Sequence, residues 1–270
     1  MRATSVRRTA LTVSAVSFAL LVTACGGGGG GDEQGDEGKS GSAGASDKPT
    51  AKAFTAGELE KLAVTQGDVK GQEIKKPGKD DVFAPGSVTV DKAACKPVAL
   101  ALSALPAGKP AASVQRLVVD ESAQAKKGMP SMEELGKMSK KEAEEATIDS
   151  LDITKTLTSL WSYDADGAEQ ALTTLREAGK TCAGGFTMTA DGEKQQVTKV
   201  SEEKVSAGQD AVAWTVGTKQ DGTPADTKVV VFRQGGTLAG FSSFNIAAVT
   251  RGDAFEQPTA VIDAQAAKLG

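Results

Sequence analysis

Histidine is missing from all 270 residues, and its absence removes a set of chemistries at once. Without imidazole there is no Ser-His-Asp or Cys-His arrangement, no His-ligated zinc, and no side chain that titrates of its own accord near neutral pH. Cysteine is almost as scarce. Cys25, Cys95 and Cys182 are the whole complement, and none belongs to a C-x-x-C pair, so neither an activated redox pair nor a zinc site can be assembled from them. Aromatic residues make up 4% of the chain, with one tyrosine, and no run of Lys or Arg is interleaved with them. With 31 basic against 35 acidic residues, the charge balance also speaks against a nucleic-acid partner. No cofactor and no metal are expected. Long apolar runs are lacking too: the stretch from Leu11 to Ala24 is uncharged but shorter than the roughly 20 residues a spanning helix needs.

That short run has a different meaning in context. Arg2, Arg7 and Arg8 precede it and Leu21-Val22-Thr23-Ala24-Cys25 closes it, which is the pattern of an export signal ending in a lipobox. An aliphatic residue followed by two small ones suits a peptidase that threads extended chain through narrow subsites. Cys25 is then the lipidated residue, and residues 1–24 are a signal peptide removed on maturation. Arg7-Arg8 raises the twin-arginine route, but Ala10 stands where that motif has a large apolar residue, and the general secretory route is preferred. Loss of the three arginines takes the net charge from minus four to about minus seven, so membrane contact must come from the lipid. Residues 25–53 read as a flexible Gly/Ser/acidic tether with no apolar periodicity, reaching about 30 Å as a coil. The expected location is the outer face of the cytoplasmic membrane. In that compartment Cys95 and Cys182 are expected to pair, closing a loop of 87 residues.

Residues 54–270 read as one extracytoplasmic domain. Thr55 with Glu58 forms a capping-box pattern ahead of Leu59 and Leu62, and Ala94–Ala104 reads as a helix that carries Cys95 near its start. Ser113–Val119 is a strand, and residues 120–146 are charged and punctuated by methionine. From Leu151 the pattern is two-fold: Leu151, Ile153, Leu157, Trp161 and Tyr163 alternate with Thr154, Thr156 and Thr158. Ala168, Ala171, Leu172, Leu175 and Ala178 make the stripe of the next helix, which Gly179 is expected to stop. Asp191-Gly192, Asp221-Gly222 and Gly235-Gly236 are hairpin signals among five further strands, and Pro258 opens a last helix. The expected fold is α+β, an antiparallel sheet of about six strands with helices packed on one face.

In element order, and in Asp68-Val69-Lys70-Gly71, Trp161-Ser162-Tyr163-Asp164, the two cysteines and Gln265-Ala266-Ala267-Lys268-Leu269, the chain resembles actinobacterial surface lipoproteins with a domain similar to the PknH-like extracellular sensor. That family carries two disulfides where this chain has cysteines for one. The resemblance implies a non-enzymatic module that binds or senses at the cell envelope. Its partner would be a small molecule, a wall polymer or an envelope protein. Among the few aromatics, Trp161, Tyr163, Trp214, Phe241 and Phe244, core packing is expected for most. Tyr163, at a strand end beside acidic turn residues, is expected to be exposed, and with Trp161 is the candidate ligand contact. An alternative function is a carboxylate-dependent hydrolase of cell-wall glycan, which requires two acidic groups about 5 to 9.5 Å apart in a cleft.

Overall fold

The computed structural model describes residues 52–220 and 222–270; the expected signal peptide, Cys25 and nearly all of the expected tether lie outside them. Nine strands form one sheet: β1 (Glu73–Lys75), β2 (Thr89–Val90), β3 (Ala112–Glu121), β4 (Ile153–Ser162), β5 (Phe186–Ala190), β6 (Glu193–Glu202), β7 (Asp210–Gln220), β8 (Thr223–Gln234) and β9 (Thr237–Asn245). Their order is β1-β3-β4-β9-β8-β7-β6-β5-β2, and every neighbouring pair is antiparallel. Seven helices accompany them: α1 (Ala56–Leu62), α2 (Lys96–Leu102), α3 (Met132–Gly136), α4 (Lys140–Asp149), α5 (Gly167–Thr181), α6 (Ile246–Arg251) and α7 (Thr259–Leu269).

The α+β class and the single antiparallel sheet agree with the sequence reading, but two details need correction. The sheet has nine strands and not about six: beside the long strands it carries a two-residue strand at one edge, within the Val88-Thr89-Val90 stretch that reads as a short strand in the sequence, and a three-residue strand at the other. Helices also cover both faces. Along β8 the run Val229-Val230-Val231-Phe232 is buried without interruption, which only a strand covered on both sides can be. Val229 and Val231 join a core beneath α2 and α5, while Val230 and Phe232 join a second core beneath α1 and α7.

Each helix is placed by local chemistry. Thr55 and Glu58 complete a reciprocal capping box on α1. Buried Gln265 of α7 accepts from the Val64 amide at 3.0 Å and donates to the Leu62 carbonyl at 2.8 Å, satisfying backbone groups at the end of α1. On α5 the buried residues are Ala168, Ala171, Leu172, Leu175 and Ala178, together with Gly179, which lies inside the helix instead of stopping it. Cys182 caps α5 and is bonded to Cys95 at the start of α2, their α-carbons 5.7 Å apart. The bridge locks together the two helices of one face.

Candidate functional site

α5 and α2 leave part of their face of the sheet uncovered, and a crevice of about 580 Å³ occupies it. Its floor follows from strand alternation. Leu117 of β3, Leu157 and Lys155 of β4, Ser242 and Phe244 of β9 and Thr227 of β8 point to the same face, because register partners on antiparallel strands share a side. Met188, Ala190 and Gln195 continue the lining onto β5 and β6, and Leu102, Ser103 and Ala104 at the end of α2 form a wall. The stretch Lys79 to Phe83, a 3-10 turn and the residues after it, completes the enclosure.

The end of α2 is held in place by the sheet. Leu105 donates to the Leu100 carbonyl at 2.8 Å, closing the helix with Ala104 at φ +52°. A left-handed residue with a β-carbon costs on the order of 1 kcal/mol, and three sheet side chains secure the arrangement. Gln115 and Ser159 each donate to the Ala104 carbonyl at 2.9 Å, and Ser242 donates to the Leu102 carbonyl at 2.7 Å. Asp191, another left-handed residue, lies in the β5–β6 turn at the other side of the crevice.

Two of the few large apolar side chains that remain exposed belong here, Phe83 at 36% and Phe244 at 41%. Lys155 sits across the strand pair from Phe244, half-buried, and among the described residues it makes neither an ion pair nor a hydrogen bond. Three carboxylates also line the crevice. Asp81 accepts from the Gly78 amide at 2.8 Å within its own turn, and Asp80 and Asp191 are exposed.

The opposite face carries charge of another kind. Lys228 is buried there and donates to Glu203 Oε1 and to Thr215 Oγ1, each at 2.7 Å, while Thr215 also donates to Glu203 and Gln257 donates to Glu203 Oε2 at 2.8 Å. Burial pushes the Glu203 carboxyl up, but these hydrogen bonds and the Lys228 charge outweigh it and hold the group below the ordinary carboxylate range. Lys228 and Glu203 thus satisfy each other within the protein.

Neither sequence-stated ligand contact lies in the crevice. Trp161 is buried against the face covered by α5, within 3 Å of where a β-carbon at Gly240 would stand. Tyr163 is not exposed but 4% accessible, because its ring packs against Gly167 at the start of α5 and its hydroxyl donates to the Ala107 carbonyl at 2.7 Å. Desolvation alone pushes its phenol well above the usual value. Trp214 and Phe241 are core residues, as expected, while Phe244 faces the crevice. Phe83 was not singled out by sequence; an apolar Val82-Phe83 pair in an otherwise polar stretch with no periodicity is the signal that marks it.

No protein-family model matches the chain, and no curated protein matches it. Among solved structures it is similar to the extracellular domain of PknH from Mycobacterium tuberculosis, at 13% identity, covering 81% of this chain and 95% of that one, with a TM-score of 0.46. At that level of similarity no function transfers between the two.

Proposed function

We propose that the chain is a non-enzymatic binding or sensing module of the cell envelope, exported and held by lipid on Cys25, with its ligand taken up in the crevice beneath the end of α2. The observation that carries this reading is the coincidence of a half-open crevice, two exposed phenylalanines and an unpaired lysine on a floor built from strands. With roughly two-fifths of each ring still in water, leaving them uncovered forgoes about 0.6–1.2 kcal/mol apiece. A crevice of this size and mixed lining suits a small molecule or the end of a polymer.

Two experiments separate the halves of the proposal. A thermal-melt screen of the purified chain against small molecules and wall fragments is expected to find stabilising ligands whose effect is lost in Phe244→Ser. A screen in which every hit acts equally on Phe244→Ser removes the crevice from the reading. Metabolic labelling with a palmitate analogue is expected to mark the chain and not Cys25→Ala. Label that persists in the variant removes the anchor.

One observation favours a second reading, hydrolysis of wall glycan: Asp80, Asp81 and Asp191 share the crevice. Binding is preferred because a carboxyl general acid depends on an apolar surround. Here two of the groups are exposed and the third is engaged by its own turn. Release of sugar from purified wall, abolished by Asp80→Asn or Asp191→Asn, would reverse that preference.

A further inference from the structure

Resting on the crevice as the binding site, we propose that its ligand is an acidic amphiphile, an apolar body carrying one carboxylate or phosphate, with Lys155 as the partner of the acidic group. The argument begins with the position of Lys155 in β4. Leu157, two residues on, lies on the same face, and Phe244 is its direct cross-strand partner. The aliphatic stem of Lys155 therefore lies between two apolar side chains of the floor, and the residue as a whole is partly buried. Burying a charge without a partner is unfavourable, and elsewhere in the fold such cations are matched: Lys228 by Glu203, Arg116 by Glu60, and Lys268 by Asp68. Lys155 has no such match among the described residues.

The carboxylates of the crevice do not supply it. Asp81 is turned to the Gly78 amide, and Asp191 lies on the β5–β6 turn, with β9, β8, β7 and β6 standing between β4 and β5 in the sheet. Asp80, exposed in the 3-10 turn, makes no ion pair with Lys155. Of the two lysines that line the crevice, Lys79 is exposed and Lys155 is the one set among the floor's apolar residues beside Phe244, while Leu117, Leu157 and Met188 offer apolar surface to the rest of the molecule. Ser242 is not available as a second donor, since its hydroxyl is committed to Leu102. Thr227 on the same floor is left as a hydroxyl donor in addition to the charge of Lys155, and a point-charge ammonium admits carboxylate and phosphate heads alike.

The test uses the purified full chain and isothermal titration with dodecanoate, dodecyl phosphate, dodecanol and inorganic phosphate, on wild type, Lys155→Met and Lys155→Gln. Wild type is expected to bind the two acidic amphiphiles about tenfold or more tightly than dodecanol, as a half-buried charged hydrogen bond warrants, and inorganic phosphate much more weakly than dodecyl phosphate. Both variants are expected to lose the preference for the acid while keeping the affinity for dodecanol, which also shows that they are folded. Equal binding of acid and alcohol by wild type, or a preference that survives both substitutions, overturns the acidic head and leaves the crevice standing. Inorganic phosphate binding as tightly as dodecyl phosphate overturns the apolar body. Binding of dodecanol that Phe244→Ser leaves unchanged, or no binding of any probe, overturns the crevice and the proposal together.

Discussion

The α-carbon of Gly179 lies against the indole of Trp214, so close that a β-carbon built there would stand 2.6 Å from the ring nitrogen. Gly179→Ala therefore pits two effects against each other. Alanine favours a helix interior by about 1 kcal/mol over glycine, whereas overpacking a buried ring costs about 1–3 kcal/mol. Trp214 is 3% accessible and has nowhere to retreat, so the upper end applies and a net loss of about 1–2 kcal/mol is expected in urea unfolding. Gly57, inside α1 with open space at its α-carbon, is the control. Gly57→Ala is expected to stabilise by up to about 1 kcal/mol.

The Cys95–Cys182 bridge joins positions 87 residues apart, and on the chain-entropy model such a crosslink contributes about 4 kcal/mol. Reductant, or Cys95→Ser with Cys182→Ser, is expected to cost about 2–5 kcal/mol and to lower the melting temperature by many degrees. Both cysteines are 1% accessible and bonded to each other, so a free-thiol assay on the unreduced protein, unfolded in denaturant, is expected to find neither of them. A melt indifferent to reductant would contradict a structural role.

Acid should weaken the fold through Glu203. Its carboxyl is held below the ordinary value of 4.5 in the folded state, so its contribution is fully present above that pH and is lost as the pH falls through the folded value. Asp68, held down chiefly by the hydrogen bond from Lys268, and Glu60, by that from Arg116, act in the same direction. Urea midpoints taken from neutral pH downward are expected to drop over the carboxylate range, and Glu203→Gln is expected to be less stable at neutrality with a shallower drop. An unchanged slope would show that Glu203 is not one of the linked groups.

Tyr163 gives a titration with a single reporter, because it is the only tyrosine in the chain. Burial raises its phenol, so its contribution to stability is intact below the unfolded value of about 10 and declines as pH rises above that. Tyrosinate absorbance is expected to appear only together with unfolding. A tyrosinate signal near pH 10 with the tryptophan fluorescence of the native state preserved would contradict the burial.

What the sequence made legible was local. The capping box of Thr55 and Glu58, the stripe of α5 and the alternation of β4 depend on neighbours within a few residues, and each is found where its pattern stands. The crevice was not legible because residues around 80, 103, 117, 156, 190 and 243 meet only through the order of the sheet. Tyr163 misled for a related reason. Acidic neighbours in sequence suggested a solvent-facing turn, but the ring's surroundings are Gly167 and the Ala107 carbonyl, supplied by α5 and a distant loop. The threonine face of β4 is covered as well: Thr156 is 2% accessible and bonded to Ser243 at 2.7 Å, a polar pair that only the second layer of helices explains.

The first described residues fasten to one end of β4, with the Ala53 amide donating to Asp164 and the Phe54 amide to Ser162. Lys155 lies toward the other end of that strand, roughly 24 Å away at about 3.4 Å per residue. A load applied at the first described residues is therefore taken up at Ala53, Phe54 and the last residues of β4, in the manner of a ring fixed to the handle of a cup. The bowl lies at the far end from the handle, outside the line of pull, so a tug at Ala53 reaches its mouth only along the length of β4.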